Sequence, residues 1–207
     1  MTEGPCADNG QSCQALALPD AQLQYWPEWL NAKDAALYFQ QLLEELEWQQ
    51  PELRLYGRSV PIPRRQVWMG DAHCSYRYSG VLFEPVPWHP LVKQLTEKLN
   101  RQTGHEFNAV LLNWYANGED HMGWHSDDEP ELGQSPQIAS VSLGEARWFE
   151  LRHQRLGMQL KLMLQHGSLL LMAGDCQHFW QHRVGKMAKA QQGRINLTFR
   201  KMIKVAK

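Results

Sequence analysis

Apolar residues recur at helical spacing in two stretches of the first half of the chain. Between Ala32 and Trp48, leucines repeat every three or four positions with glutamates between them, which predicts an amphipathic helix. A second helix is predicted from about His89, and Gly104 supplies its stop, because glycine tolerates the left-handed conformation that ends many helices. Residues 1–20 show no periodicity and are rich in small and polar residues, so they are expected to form a flexible tail.

After Gly104, short apolar runs separated by turn residues replace the helical pattern. No long helix separates successive runs, which argues against a doubly wound parallel sheet. Short strands at this spacing are typical of a β-sandwich or a jelly roll. The predicted strands are Val67–Met69, Tyr76–Tyr78, Phe107–Ala116, Ile138–Leu143, Arg147–Arg152, Gln159–Leu164, Ser168–Met172, Phe179–Val184 and Arg194–Met202.

Composition narrows the class of protein. The 207 residues are 43% hydrophobic, enough for one core, and no apolar run approaches the roughly 20 residues of a membrane-spanning helix. Four cysteines without CxxC spacing are expected to be reduced thiols. The first residues lack the pattern of a secretory signal, so a cytoplasmic or nucleoid-associated protein without a membrane partner is expected.

The net charge of −1 hides an uneven distribution. Residues 1–50 hold eight acids and one base, whereas residues 183–207 hold eight bases and no acid. A polyanionic partner is one interpretation of the basic end. Charge alone favours the other interpretation, a solvated basic tail.

A candidate metal site follows from the segment His125-Ser126-Asp127. On extended backbone, residues two apart point the same way, so His125 and Asp127 can bind one ion. His182 on a later predicted strand, with His178 as its competitor, would complete two histidines and one carboxylate, a set that leaves three positions open on iron(II). A surface turn with a hydrogen-bonded Asp127 is the alternative.

The strand from Arg194 to Arg200 alternates polar and apolar residues. Its polar face carries two arginines with an amide and a hydroxyl between them, an array of donors that suits a dicarboxylate. Asn113 and Tyr115, also two apart, add to this array from another strand. A half-exposed edge strand with its polar side in water is the alternative.

In their order along the chain, six segments resemble those of the AlkB-type iron(II)/2-oxoglutarate dioxygenases. The resemblance runs from about Pro61 to Met202 and looks closest to members that act on alkylated nucleic acid. The matching segments are Asn113–Tyr115, His125–Glu129, Ile138–Gly144, His166–Leu170, Trp180–Val184 and Arg194–Arg200.

This resemblance implies a mainly β fold with flanking helices and one catalytic domain. Its double-stranded β-helix (jelly-roll) core would span residues 105–207, after the tail at 1–20 and a helical and nucleotide-recognition region at 21–104. Iron(II) would be held by His125, Asp127 and His182. The co-substrate 2-oxoglutarate would contact Asn113, Tyr115, Arg194, Asn196, Thr198 and Arg200. With dioxygen, the enzyme would hydroxylate an N-methyl group on a base and release formaldehyde, succinate and carbon dioxide.

The resemblance also implies how the substrate binds. Tyr78 would stack on an extruded base opposite His125, with Tyr56 and Tyr76 as the next candidates, although related proteins commonly have phenylalanine at Tyr56 and Tyr78. Glu129 would contact the base edge, which is reasonable for a cationic lesion such as 1-methyladenine or 3-methylcytosine. Tyr56 and the loop residues Arg64 and Arg65 would probe the duplex and the gap left by the extruded base.

A monomeric DNA dealkylation repair enzyme is therefore the leading hypothesis, with alkylated DNA as its partner. The alternatives are the same chemistry on RNA or on a protein side chain, and a non-catalytic jelly roll that binds nucleic acid. A zinc hydrolase with the same three ligands is a further alternative, but the double-arginine strand would have no role in it.

Overall fold

The computed structural model describes residues 12–55, 58–78 and 81–203, without the side chains of residues 53–55, 76–78 and 81–83. The helices are α1 (Ala32–Glu45), α2 (Pro90–Thr103) and the single turn α3 (Cys176–Phe179), with a 3₁₀ turn at Pro130–Leu132. The strands are β1 (Gln14–Leu18), β2 (Ala21–Trp26), β3 (Glu52–Leu55), β4 (Arg58–Pro61), β5 (Arg65–Gly70), β6 (Tyr76–Tyr78), β7 (Val81–Phe83), β8 (Ala109–Tyr115), β9 (Met122–His125), β10 (Ile138–Gly144), β11 (Arg147–His153), β12 (Gln159–Leu164), β13 (Ser168–Ala173), β14 (Trp180–Val184) and β15 (Arg194–Arg200).

Both long helices begin and end where local chemistry satisfies the backbone. Asn31 caps α1 by accepting a hydrogen bond from the Asp34 amide at 2.9 Å. The helix ends at Glu45, three residues before the predicted end. His89 caps α2, Pro90 occupies its first position, and Gly104 ends it at φ 70°, as the sequence predicts.

Two antiparallel sheets form the jelly roll. The larger has the strand order β1-β2-β13-β10-β15-β8-β5, and the smaller has the order β12-β11-β14-β9. The hairpins β3–β4 and β6–β7 form separate two-stranded sheets. The predicted fold class, mainly β with flanking helices and a jelly-roll core, is confirmed.

Each face of the seven-stranded sheet is covered by its own apolar layer. On one face, residues of α1 and α2 such as Leu42 and Leu95 pack against Val141 and Leu197 of the sheet. The other face packs against the four-stranded sheet through residues such as Trp180. Alternate residues of the central strands therefore serve two cores, which explains why these strands are almost continuously buried.

The structure corrects two expectations about the beginning of the chain. Gln14–Leu18 form β1, paired along its length with β2, whereas the sequence predicts a flexible tail over residues 1–20. A five-residue strand of Gln, Ala and Leu carries too short a pattern to be recognised without its partner. The larger sheet thus includes strands that precede residue 105. Cys13 is disulfide-bonded, so the expectation of a reduced thiol is wrong for this residue, whereas Cys74 and Cys176 are free and buried.

No helix in the described ranges is both long and apolar enough to cross a bilayer.

Candidate active site

A cavity between the two sheets collects ten of the residues that the sequence predicts for the site. Its walls come from β8 and β15 of the larger sheet and from β9 and β14 of the smaller one. The predicted residues that line it are Arg64, Asn113, Tyr115, His125, Asp127, Glu129, His182, Asn196, Thr198 and Arg200.

His125, Asp127 and His182 meet at one end of this cavity. His125 ends β9 and lies directly opposite His182 in the antiparallel pairing with β14, so their ring centroids are 4.2 Å apart. One ligand atom from each of the three side chains lies within 4.8 Å of the others. His178 is exposed on α3, outside this cluster. The geometry therefore favours His182 over its competitor.

The charge state of this cluster suits a divalent cation. Burial, and then the neighbouring His125, lower the pKa of His182 to about 3, and burial also lowers the pKa of His125. Burial alone would raise the pKa of Asp127, but the nearby Arg200 and the two histidines lower it to about 2. Neutral imidazoles and an ionised carboxylate are the forms that bind a metal ion.

Polar atoms without a hydrogen-bond partner also indicate that this cluster binds a metal ion. Asp127 accepts a hydrogen bond from Arg200 Nη2 through Oδ1 at 2.8 Å, while its buried Oδ2 has no hydrogen-bond partner. His125 makes a hydrogen bond between Nδ1 and the Gly123 carbonyl at 2.9 Å, which leaves its other ring nitrogen to a ligand. These residues fit iron(II), which a set of two histidines and one carboxylate holds with open positions.

The arginines of β15 differ in their surroundings. Arg194 is 1% exposed and donates to Ser142 Oγ at 2.9 Å, but its buried Nε and Nη1 have no partner. Burial, only partly offset by Tyr115, lowers the pKa of Arg194 to about 10. Arg200 is instead ion-paired with Asp127. Arg194, which lies against the Tyr115 ring, thus has two unused donor nitrogens for an incoming carboxylate.

The polar side chains between these arginines are held by one another. Asn196 donates to Ser140 Oγ at 2.7 Å and to the Val141 carbonyl at 3.0 Å, and Thr198 donates to Asn196 at 3.1 Å. Every residue of β15 is buried, because the strand lies between β10 and β8. The alternative interpretation, an edge strand with its polar side in water, is therefore wrong.

Arg64 lines the cavity between the two sheets. It is 7% exposed, and its Nε donates to Asn113 Oδ1 at 2.8 Å. Its contact with a duplex stays a prediction. Arg65 turns the other way and places its guanidinium 4.8 Å from the Trp114 ring centroid. The sequence did not indicate which of two adjacent arginines points inward.

Of the residues predicted to bind the substrate base, the structure describes the side chain of Glu129 but not those of the three tyrosines. Glu129 lines the cavity, burial raises its pKa, and its Oε2 is buried without a hydrogen-bond partner. Tyr56 lies outside the described residues, and Tyr76 and Tyr78 are described only as backbone of β6. The stacking roles of these tyrosines stay predictions.

Two contacts of the metal-binding cluster were missed by sequence reasoning. Gln177 on α3 is 1% exposed and accepts a hydrogen bond from the Asp127 amide at 3.0 Å. Phe149 stacks on His182 with ring centroids 5.1 Å apart. The alternation of β11 predicts that Phe149 points inward, but no local signal links a glutamine 50 residues away to Asp127.

Comparison with known proteins places this geometry in a family. The family model described as 2OG-Fe(II) oxygenase superfamily matches residues 22–200. The human protein named alpha-ketoglutarate-dependent dioxygenase alkB homolog 3 is 38% identical over 185 residues, covering 84% of this chain and 64% of that protein. The bovine DNA oxidative demethylase ALKBH2 is 38% identical over 181 residues, covering 82% of this chain and 65% of that protein. The chain thus spans less than two thirds of the length of these two relatives.

A solved structure shares the fold. The structure of OsALKBH1 superposes with a TM-score of 0.60 at 18% identity, covering 92% of this chain and 100% of that one. At this level of identity the match supports the fold alone, and it agrees with the two packed sheets described above.

Proposed function

Because this chain belongs to the 2OG-Fe(II) oxygenase superfamily, and within it to the AlkB-type dioxygenases, we propose that it removes methyl groups oxidatively from N-methylated bases in DNA. The substrates would include 1-methyladenine and 3-methylcytosine. The reaction would use iron(II), dioxygen and 2-oxoglutarate, and it would release formaldehyde, succinate and carbon dioxide. The name of the bovine relative, a DNA oxidative demethylase, supports the substrate class, and the name of the human relative supports the co-substrate.

One observation carries the proposal. The cavity holds a neutral His125, a neutral His182 and an ionised Asp127 at one end, and Tyr115 lines it as well. Against the Tyr115 ring, at 5.4 Å from its centroid, lies the guanidinium of buried Arg194 with two unpaired donors. A buried guanidinium without a counter-ion costs folding free energy, so it is best explained by a carboxylate that binds there. A metal site and a carboxylate site on neighbouring walls are what 2-oxoglutarate chemistry needs.

Bound to His125, Asp127 and His182, iron(II) would supply the oxidising chemistry that couples decarboxylation of 2-oxoglutarate to hydroxylation of an N-methyl group. Arg194 would anchor the carboxylate of 2-oxoglutarate that lies away from the metal. Arg200 keeps Asp127 ionised and in place through their 2.8 Å ion pair. The hydroxymethyl product would decompose without a further catalytic residue: its hydroxyl group loses a proton, the C=O bond of formaldehyde forms, and the C–N bond breaks with its electron pair going to the base nitrogen.

Glu129 would help to select the lesion. 1-Methyladenine and 3-methylcytosine carry a positive charge that the undamaged bases lack, and a carboxylate in the cavity wall attracts that charge. The extruded base would stack between His125 and Tyr78. Arg64, which donates a hydrogen bond to Asn113, lines the same cavity. Its positive charge would repel a cationic base and so orient the base towards Glu129.

Mass spectrometry tests the proposal directly. A single-stranded DNA oligonucleotide with one 1-methyladenine, incubated with enzyme, iron(II), ascorbate and 2-oxoglutarate, should lose the mass of one methylene group, with equal amounts of formaldehyde and succinate. The variant Asp127→Ala and an oligonucleotide without the methyl group serve as controls. Demethylation of the matching RNA or of a methylated peptide, without demethylation of the DNA, would replace the proposed substrate by one of these.

A further inference from the structure

The smaller sheet carries a cationic and aromatic surface on the side that faces away from the cavity. We call it the outer face and define it by Trp124 on β9, Trp148 and Arg152 on β11, Lys161 on β12 and Arg183 on β14. Along β11, the alternate residues Phe149 and Leu151 are buried in the core between the sheets. The outer face is therefore the opposite surface of the same strands.

Two arginines of the outer face are fixed on one tryptophan. The guanidinium carbons of Arg152 and Arg183 lie 4.4 Å and 4.5 Å from the Trp124 ring centroid. Arg152 also donates to Gln181 Oε1 from Nε at 3.1 Å and from Nη2 at 2.7 Å. Both guanidinium groups are thus held before any partner arrives, which lowers the entropy cost of binding.

The outer face has more positive charge than its own acid neutralises. Glu150 is shared between Arg183 at 2.9 Å and Lys161 at 3.4 Å, while Arg152 is bound to a neutral amide. Lys161 is 57% exposed and pairs with Glu150. Trp148, two residues before Glu150 on the same side of β11, leaves 44% of its surface in solvent. Cations and an exposed aromatic ring on one face suit a single-stranded nucleic acid, because each of its nucleotides carries both a phosphate and a ring that can stack.

The outer face is continuous with the metal-binding strands. Trp124 directly precedes His125, and Arg183 directly follows His182, so the same two strands carry the metal ligands on one side and the cations on the other. β9 is the edge strand of its sheet, and Arg183 also lines the cavity. A single-stranded nucleic acid can therefore pass around β9 from the cavity to the outer face.

We propose that the outer face binds the single-stranded segment that flanks the modified nucleotide, with Arg152, Arg183 and Lys161 on phosphates and Trp148 stacked on a base. This inference rests on the proposed function, since it assumes that the cavity takes a base from a polynucleotide. It predicts that the enzyme recognises substrate length as well as the lesion.

The experiment compares a methylated dodecanucleotide with a methylated trinucleotide, which has only one nucleotide on each side of a central lesion. In the double variant Arg152→Gln/Lys161→Gln, kcat/KM for the dodecanucleotide relative to the trinucleotide should fall at least about fivefold. The salt dependence of dodecanucleotide binding, measured by fluorescence anisotropy, should lose about 0.7 in log–log slope for each phosphate contact removed. Trp148→Ala should weaken binding without changing this slope.

The matched control is Lys33→Gln/Arg101→Gln, which removes two exposed cations from α1 and α2. It should keep the wild-type preference for the longer substrate. An equal loss on both lengths in the outer-face variant, or an equal loss of dodecanucleotide affinity in the control, would overturn the inference. If wild-type enzyme demethylates neither oligonucleotide, the proposed function fails, while the anisotropy comparison of the two double variants still decides whether the outer face binds single strands.

Discussion

At the scale of the residue, the site keeps buried charges that the fold alone does not need. Arg194 is enclosed with two unpaired donor nitrogens, and Asp127 keeps one unpaired oxygen beside two neutral imidazoles. Each of these groups raises the free energy of the empty protein and lowers it again when its ligand binds. Stability and ligand binding should therefore respond to substitution in opposite directions at Arg194.

The variant Arg194→Met tests this opposition. It should leave the free energy of unfolding of the ligand-free protein unchanged or higher, because a long apolar side chain replaces a cation without a counter-ion. The apparent affinity for 2-oxoglutarate should fall at least about tenfold, as expected for loss of a charged partner. Urea denaturation and succinate formation against 2-oxoglutarate concentration measure the two effects. The exposed Arg101→Met should change neither quantity, and an unaltered affinity in Arg194→Met would assign the carboxylate to another residue.

Asp127 and its neighbour Asp128 offer a second matched pair. Asp127→Asn removes a buried charge that pairs with Arg200, so it should destabilise the metal-free protein by about 3 kcal/mol and abolish turnover. Asp128 is exposed, and Asp128→Asn should stay within about 0.5 kcal/mol of wild type. Equal stability of the two variants in urea would mean that the buried pair contributes little.

The lowered pKa of His182 predicts that the stability of the metal-free protein depends on pH. Its pKa is about 3 in the folded chain against an ordinary value near 6.5, so between pH 7 and pH 5 only the unfolded imidazole takes up a proton. Stability should fall on acidification, by about 2 kcal/mol at pH 5 from this residue, and should be retained above pH 7. His182→Asn should reduce the difference in unfolding free energy between the two pH values by that amount. The same difference in both proteins would show that His182 is not held neutral.

At the scale of the element, strands were easier to predict than the way they combine. The alternation of β15 correctly separates its polar from its apolar face, because a strand has a fixed period of two. The burial of both faces could not be predicted, since it depends on the helices on one side and the second sheet on the other. In the same way, Arg64 and Gln177 enter the site through pairing with distant elements, which no local pattern records.

Gln177 links α3 to the loop after β9, because its side chain accepts the hydrogen bond of the Asp127 amide. Gln177→Leu should leave the Asp127 amide buried without its acceptor, at a cost of about 1–3 kcal/mol in unfolding free energy. Manganese(II) affinity, measured by calorimetry, should fall as well, because Asp127 is no longer held by its backbone. Gln154→Leu, at an exposed glutamine that bonds the His178 carbonyl, is the control. Wild-type manganese affinity in Gln177→Leu would limit this residue to a structural role.

At the scale of the whole molecule, one sheet separates a structural core from a chemical one. The helices cover the face of the larger sheet that carries Val141 and Leu197, while the cavity with His125 and His182 opens on the other face. The sequence predicted the jelly roll and most of the cavity residues through the six matching segments. It did not predict that β1 and β2 extend the same sheet, because β13, which pairs with β2, lies far away in sequence.

Ligands should stabilise this molecule as a whole. Manganese(II) and 2-oxoglutarate, each at about one hundred times its Kd, should each add about 2.7 kcal/mol to the free energy of unfolding if their sites are as described. Differential scanning calorimetry with both ligands should show the rise in wild type. The variant His182→Ala should lose the response to manganese, and a manganese response that survives in it would move the metal away from this cluster.

The position of β15 in the larger sheet also determines when that sheet can be completed during synthesis of the chain. It lies between β10 and β8, yet it is the last of the seven strands to leave the ribosome. Until residue 200 has emerged, β1, β2, β13 and β10 can form one ribbon and β8 and β5 another, without the strand that pairs with both. Nascent chains halted before residue 194 should therefore remain open to protease along β8 and β10. This last seven-residue strand joins the two ribbons, places Arg194 against Tyr115 and brings Arg200 to the cavity, so an incompletely synthesised chain lacks a complete site as well as a complete sheet.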